Sequence, residues 1–325
     1  MEIALCFDNN FVMQAGVFIQ SACMSNQANE ITFFAISECF SDENKAILTD
    51  LVAHFQNKKI EFVEIDVATL NDFPVRKKDH ISIAAYYRLL LPSILPQHLT
   101  KVLYFDCDML VVDDLQPLYN LAIEDYSTAV VADMFYNDET ITNRLLYDVA
   151  DHYYNSGMLL INLKYWREHS ISRKLLAFIT EHKDLCIAHD QDALNAVLHG
   201  TILTAPARYN IQLDFLKKDP SNMVIADKDV FDDALASGHN PCVIHFTGPS
   251  KPWKYQCFNP YGPLWDFFQG QTIWKNQPKT HEFKGWKLLK WKRHQLSERL
   301  NLRPKRVAQY VDVQPEIERI IRKLQ

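Results

Sequence analysis

Glycine is scarce, eight residues in 325, and no G-x-G-x-x-G run follows the first predicted strand. A dinucleotide loop needs such glycines for a tight turn and close backbone approach to pyrophosphate, so their absence argues against a nicotinamide dehydrogenase. The seven cysteines (6, 23, 39, 107, 186, 242 and 257) are odd in number, scattered, and form no C-x-x-C pair. That pattern fits reduced thiols in a cytoplasmic compartment and excludes a disulfide scaffold or a structural zinc site. The N-terminus, Met1-Glu-Ile-Ala-Leu-Cys-Phe-Asp8, carries neither a basic segment nor a cleavable apolar one, so no signal peptide is expected. No apolar run approaches the roughly 18 residues of a membrane span. What is plentiful is apolar residue content, 48% of the chain, which excludes wholesale disorder and allows one large domain or two.

The net charge of -6 is unevenly placed. From Lys279 onward there are 13 Lys and Arg against 5 Asp and Glu, while the preceding residues carry 21 against 35. The chain therefore reads as an acidic body, residues 1–278, with a basic tail, 279–325. Within Lys284 to Leu300 the apolar Trp286, Leu288, Leu289, Trp291, Leu296 and Leu300 interleave with six Lys and Arg. Trp with Lys and Arg on one helix suits attachment to an anionic membrane surface. The same composition also fits nucleic-acid binding or a solvated helix packed on the body. Membrane attachment is the expectation, with no nucleic acid, and Gln314 to Leu324 reads as a further short helix.

The first strands, Glu2 to Phe7, Ile31 to Ile36 and Ile60 to Ile65, alternate with helices. The second helix, Ser41 to Phe55, is opened by a Ser-Asp-Glu cap. This βαβαβ order predicts an α/β fold, Rossmann-like, with a mostly parallel central sheet flanked by helices. Lys101-Val-Leu-Tyr-Phe-Asp-Cys-Asp108 then runs a buried strand straight into two carboxylates. Residues i and i+2 of a strand point the same way, so Asp106 and Asp108 can face one point. In open α/β sheets ligands bind beyond the carboxyl ends of strands, and paired carboxylates suit Mg²⁺ or Mn²⁺. The plain alternative is a polar strand exit.

Other polar residues fall at comparable places. Asp8-Asn-Asn10 ends the first strand and Asp133 ends a strand at Thr128 to Ala132. Asn155 and Gly157 enter the apolar strand Tyr154 to Leu163, where Gly157 allows either a bulge or a close approach to the backbone. A helix from Ile81 to Leu91, stopped by Pro92, holds one charge, Arg88, which needs an anion: a structural carboxylate or a phosphate. His189-Asp-Gln-Asp192 opens a helix, where helix capping accounts for one of the two acids. His245 ends a late strand, Pro241 to Phe246, before a loop with Gly248 and Lys251, a context for a nitrogen ligand and a phosphate clamp or for a structural histidine. Collected, these residues describe a divalent cation holding a diphosphate, with acids and amides left to bind hydroxyl groups.

In order, Asp8-Asn-Asn10, His80-Ile-Ser-Ile83 with Arg88, Phe105-Asp-Cys-Asp108, Tyr154 to Leu163, Asp190-Gln-Asp192 and His245-Phe-Thr-Gly-Pro-Ser-Lys-Pro-Trp253 resemble glycosyltransferase family 8 over about residues 1 to 255. The likeness is to bacterial lipooligosaccharide α-1,4-galactosyltransferases and lipopolysaccharide glucosyl- and galactosyltransferases. It implies a GT-A fold and retaining transfer from a UDP-hexose to a glycan or glycolipid acceptor. It also implies Mn²⁺ on Asp106, Asp108 and His245, and a place on the inner face of the cytoplasmic membrane.

By the same match, Asp8, Asn10 and Phe11 hold the uridine, while Ile81 and Cys107 contact the donor. Arg88 lies near the phosphates and donor sugar, and Gly248 with Lys251 grips the diphosphate. Asp133, Asn155, Asp190 and Gln191 read the sugar hydroxyls, and Gln191 lies beneath the anomeric carbon. An amide is a poor nucleophile, so the resemblance favours acceptor attack on the leaving-group face, with Asp192 as nucleophile the alternative. Ala84, Ala85, Ala188-His189 and Thr247 depart from the galactosyltransferase pattern, which leaves galactose and glucose both open as donor sugar. Rival classes are a nucleotidylyltransferase, an aspartate-based phosphohydrolase and a non-catalytic sugar-binding protein.

Overall fold

A computed structural model describes residues 1–66, 83–281, 283–300, 302 and 309–325. The first half alternates as the pattern predicts: β1 (Glu2–Cys6), α1 (Val12–Ser25), β2 (Ile31–Ser37), α2 (Asp42–Ala53) and β3 (Lys58–Glu64). Ser41 caps α2, its hydroxyl accepting from the Asn44 amide at 3.2 Å, with Asp42 and Glu43 in the first turn, where acids complement the helix dipole. A 3₁₀ stretch, Ile83–Leu90, leads into the short α3 (Leu91–Ile94). The continuous helix expected over Ile81 to Leu91 is thus replaced by a tighter coil, and its first two residues lie outside the described residues. Pro92 does not stop it. It sits in the first turn of α3, where a missing N–H costs nothing.

Then come β4 (Lys101–Phe105), β5 (Met109–Val111), α4 (Gln116–Tyr119), β6 (Thr128–Ala132), α5 (Glu139–Arg144) and β7 (Tyr154–Asn162). They are followed by α6 (Leu163–Glu168), α7 (Ile171–Glu181), α8 (Asp190–Leu198), β8 (Ile202–Thr204), α9 (Lys228–Ser237), β9 (Val243–His245) and α10 (Gly262–Gln269). Seven strands form one sheet in the order β3-β2-β1-β4-β7-β6-β8, while β5 and β9 pair separately. All neighbours in the large sheet are parallel except across β7, which runs antiparallel to both β4 and β6.

The central strands are buried on both faces, which is why they read as apolar runs. Leu103, Phe105, Leu160 and Ile161 are fully buried, each contributing about 1.5–3 kcal/mol of hydrophobic stabilisation. Two consequences position the site. The strand order reverses between β1 and β4, which opens a crevice at their carboxyl ends. Because β7 is reversed, its amino end, not its carboxyl end, comes to that same edge.

The basic segment divides in two. In α11 (Gly285–Arg299) Trp286, Leu289 and Leu296 are 71%, 56% and 56% exposed. In α12 (Gln314–Leu324), Ile317, Ile320 and Leu324 are buried against the body, and Tyr310 before it stacks on Phe258. The composition change at Lys279 therefore does not mark a tail that stands off throughout, since its last helix belongs to the core. Among the described residues no helix is long and apolar enough to cross a membrane.

Candidate functional site

At the end of β1, Asp8 caps a 3₁₀ turn, Asn9–Phe11, its carboxylate accepting from the Asn10 amide at 2.8 Å. The turn leaves Asn10 at the surface and Phe11 38% exposed, edge-on to Trp253 with ring centroids 5.9 Å apart. An exposed polar turn and an open aromatic face can take a planar base.

The neighbouring end of β4 delivers the two acids. Asp108 leads into β5, whose pairing with β9 sets Met109 opposite His245, and the Phe246 amide donates to the Asp108 carbonyl at 3.0 Å. That small ribbon brings residues far apart in sequence together. Ligand atoms of Asp106, Asp108 and His245 all lie within 4.8 Å of one another. Asp108 Oδ1 faces His245 Nε2 at 3.3 Å, is buried, and accepts no hydrogen bond among the described residues.

Two carboxylates and an imidazole with an unmet buried oxygen form a donor set that fits a hard divalent cation. The cation that Asp108 does meet is Lys251, whose ammonium lies on Oδ2 and also donates to the Phe246 carbonyl at 2.8 Å. Burial opposes ionisation of Asp108, yet the Lys251 ammonium outweighs it and holds the carboxyl below the usual range. Cys107, between the acids, is buried, and burial pushes its thiol pKa far up.

Arg88 is buried and bridges two acids. Its Nη2 lies 2.9 Å from Asp106, its Nε lies 3.0 Å from Asp190, and Nη1 donates to the Ser156 carbonyl at 2.7 Å. The guanidinium also stacks over the Tyr104 ring at 4.3 Å, and the Tyr104 hydroxyl donates to Asp106 at 2.6 Å. Carboxylates, one of the two kinds of anion open to this arginine, are thus met within the chain. Burial pushes the Asp190 carboxyl up, and Arg88 pulls partly against it.

Asp133, at the end of β6, and Asn155, at the start of β7, meet where the two strands pair. Asn155 Nδ2 donates to Asp133 Oδ2 at 3.1 Å, and Gln191 Nε2 reaches the same oxygen at 3.4 Å. Burial raises the Asp133 pKa against these hydrogen bonds. Gln191 Nε2 also donates to the Tyr153 hydroxyl at 3.0 Å, while its Oε1 accepts from the Ser156 amide at 3.1 Å. His189 takes a φ of 55°, rare for a residue with a side chain, as it launches Asp190 and Gln191 from the start of α8.

Asp192 must be removed from the nucleophile candidates. It is wholly buried, with Arg144 on both oxygens at 2.8 and 3.2 Å, the Tyr153 hydroxyl at 2.7 Å and the Ala188 amide at 2.6 Å. It anchors the start of α8, the role helix capping assigns to one of the two acids. Beside Gln191 a cavity of about 430 Å³ opens, lined by Asp133, Phe135, Arg144, Asp214 and Thr247 among others.

Gly248 follows β9 in the loop to Lys251 with a φ of 67°, the left-handed conformation that favours glycine, and open space where a Cβ would stand. Gly157 is the site of a close approach. A Cβ there would lie 2.3 Å from His245 Cε1, so the imidazole occupies the missing side chain's volume. Ile81 lies outside the described residues. Asn210, Tyr104, Tyr153 and Ser156 also build the site, and sequence reasoning assigned none of them a role. Tyr104 had a faint signal, two residues before Asp106 on the same strand face; Asn210 sits in a loop and had none.

Comparison with known proteins agrees with this geometry. Residues 2–257 match the family described as Glycosyl transferase family 8. General stress protein A of Bacillus subtilis (strain 168) is 30% identical over 278 residues, covering 84% of this chain and 94% of that protein. The lipopolysaccharide glucosyltransferase WaaO of Escherichia coli (strain K12) is 26% identical over 284 residues, covering 85% and 79%. Among solved structures, the galactosyltransferase LgtC in complex with donor and acceptor sugar analogues superposes with a TM-score of 0.74 at 28% identity, covering 84% of this chain and 96% of that one. The sheet and its flanking helices are those of the GT-A fold, and the match takes in the acid pair, the amides and the imidazole: the chain belongs to glycosyltransferase family 8 and is a glycosyltransferase.

Proposed function

We propose that the chain moves a hexose, galactose or glucose, from a UDP-sugar to a saccharide acceptor, with retained anomeric configuration and Mn²⁺ as the metal (Mg²⁺ the substitute). The observation that carries this reading is the meeting of Asp106, Asp108 and His245 between an open base-binding turn and the Asp133, Asn155, Asp190 and Gln191 cluster. Asp8, Asn10 and Phe11 would hold uridine. The bound metal would act as a Lewis acid that stabilises the charge of the departing diphosphate. Gly248 and Lys251 would grip that diphosphate, the ammonium turning from Asp108 to a phosphate oxygen.

Retention without a covalent intermediate suits this residue set. Asp192 is spent on Arg144, Asp190 is paired with Arg88, and Gln191 presents an amide. The acceptor hydroxyl would enter from the cavity beside Gln191 and attack on the leaving-group face. Its proton would pass to the phosphate oxygen that leaves, and Gln191 would stabilise positive charge at the anomeric carbon. WaaO among the relatives supports an oligosaccharide of lipopolysaccharide or lipooligosaccharide as acceptor, with another glycan, or one linked to protein, the second reading.

The outward face of α11 carries Trp286, Leu289, Leu296 and Leu300 at helical spacing, flanked by Lys287, Lys290, Lys292, Arg293 and Arg299. That face supports attachment to an anionic membrane surface on the cytoplasmic side. The test of the enzyme reading is a panel of UDP-hexoses with Mn²⁺, scored for UDP release with and without EDTA. Release with one hexose, abolished by EDTA, is expected. No release with any donor and acceptor would leave only a sugar-binding protein.

A further inference from the structure

We infer that Asn210 decides which nitrogen of the His245 ring carries the proton, and so holds Nε2 open as a metal ligand. The inference rests on the metal reading above and adds a residue to it. The hydrogen-bond polarity can be followed from a group that admits one direction only. The Gly157 backbone N–H can only donate, and it lies 3.1 Å from the outer atom of the Asn155 amide, which must therefore be oxygen. The same oxygen lies 2.8 Å from the Asn210 amide, so that atom of Asn210 must be the donating nitrogen. The remaining Asn210 atom is then an oxygen, and it faces His245 Nδ1 at 3.0 Å. An oxygen acceptor there requires the ring proton on Nδ1.

In the neutral ring Nε2 is then left with its lone pair directed at the Asp108 oxygen that accepts no hydrogen bond. Two lone pairs opposed across 3.3 Å are unfavourable until a cation lies between them. Asn210 is held there by the backbone: it is fully buried, and Ile211 beside it is clamped along β9 by Ile211 N to Val243 O at 2.8 Å and His245 N to Ile211 O at 2.9 Å. The other end of the amide run is Asp133, which also receives Gln191. Asn210 touches neither sugar nor metal in this arrangement. It is a positioning residue, and it joins the carboxylate on the sugar side to the imidazole on the metal side.

The decisive measurement needs no substitution. In metal-free protein labelled with ¹⁵N-histidine at about pH 8, the ring broadened by trace Mn²⁺ should show a protonated Nδ1 and a bare Nε2. A proton on Nε2, alone or with one on Nδ1, overturns the inference and leaves the metal site standing. If no ring is broadened, the metal reading falls and takes the inference with it. As a second arm, Asn210→Leu should weaken Mn²⁺ binding, read by electron paramagnetic resonance without donor or acceptor, by about ten- to a hundredfold. Asn210→Asp keeps the acceptor on Nδ1 but sets an oxygen against Asn155 Oδ1, so it should lose stability in urea yet bind Mn²⁺ more tightly than the Leu variant, whereas a merely structural asparagine would tolerate a buried charge less well than leucine. Equal loss in both variants, or wild-type affinity in a folded Leu variant, overturns the inference.

Discussion

Gly157→Ala tests the site where its packing is tightest. The added Cβ would stand 2.3 Å from His245 Cε1 and 2.7 Å from Nδ1, whereas non-bonded carbons rest at about 3.5–4.0 Å. Something has to yield by more than about 1 Å. The backbone of β7 is poorly placed to do so, since the Gly157 carbonyl accepts from the Asp106 amide at 2.8 Å and its N–H is bound to Asn155. The imidazole is the movable partner, and a metal site tolerates only about 0.5 Å of misplacement. We expect Mn²⁺ affinity to fall by about ten- to a hundredfold. Overpacking should also cost about 1–3 kcal/mol of stability in urea denaturation. Gly248→Ala is the contrast: its Cβ would meet nothing within 4 Å, so backbone strain should lower stability without moving Mn²⁺ affinity. Wild-type Mn²⁺ affinity in Gly157→Ala would refute the packing argument.

Gln191→Ala should cut turnover without abolishing it and leave UDP affinity in place by calorimetry; loss of UDP binding would show the residue misplaced. Arg88→Met strips Asp106 and Asp190 of their shared cation and should cost about 3–5 kcal/mol by urea denaturation, against less than 1 if the pair is well hydrated. Burial opposes ionisation of Asp113, but Lys323, the Asp114 amide and Arg208 outweigh it and lower its pKa in the fold. Its contribution is therefore present above the ordinary carboxylate value of about 3.9 and is lost as pH falls through the lower folded value. The gap between thermal melts of wild type and Asp113→Asn should accordingly begin to shrink below about pH 4 and keep narrowing as pH falls further; a gap unchanged across that range would count against the pairing. Serine at Trp286 and Leu289 should weaken sedimentation with anionic vesicles while leaving donor hydrolysis intact. Truncation at Pro278 is the poorer experiment, because it would also remove the buried Ile317 and Ile320.

The elements legible in the sequence are those whose burial repeats along the chain. β1, β2 and β4 are covered on both faces and therefore read as apolar runs, and Asp106 and Asp108 stood out because they follow such a run directly. The ribbon of β5 and β9 is three residues on each side, too short for any period, so the meeting of His245 with Asp108 was foreseen only through resemblance. Asp192 misled because a carboxylate's partners, here Arg144 and Tyr153, come from elsewhere in the chain and leave no mark beside it. The helix over Gln314 to Leu324 was legible but its burial was not: Ile317, Ile320 and Leu324 share one face, and the Lys and Arg around them equally suit a basic tail at a membrane surface.

The seven-stranded sheet has its last member at Thr204, whereas the imidazole arrives only with the ribbon at Val243–His245. In order of synthesis every strand of the large sheet and both acids precede β9, which among the described residues brings the imidazole that joins them. Competence for the ion is thus gained late in synthesis, after the framework that must receive it.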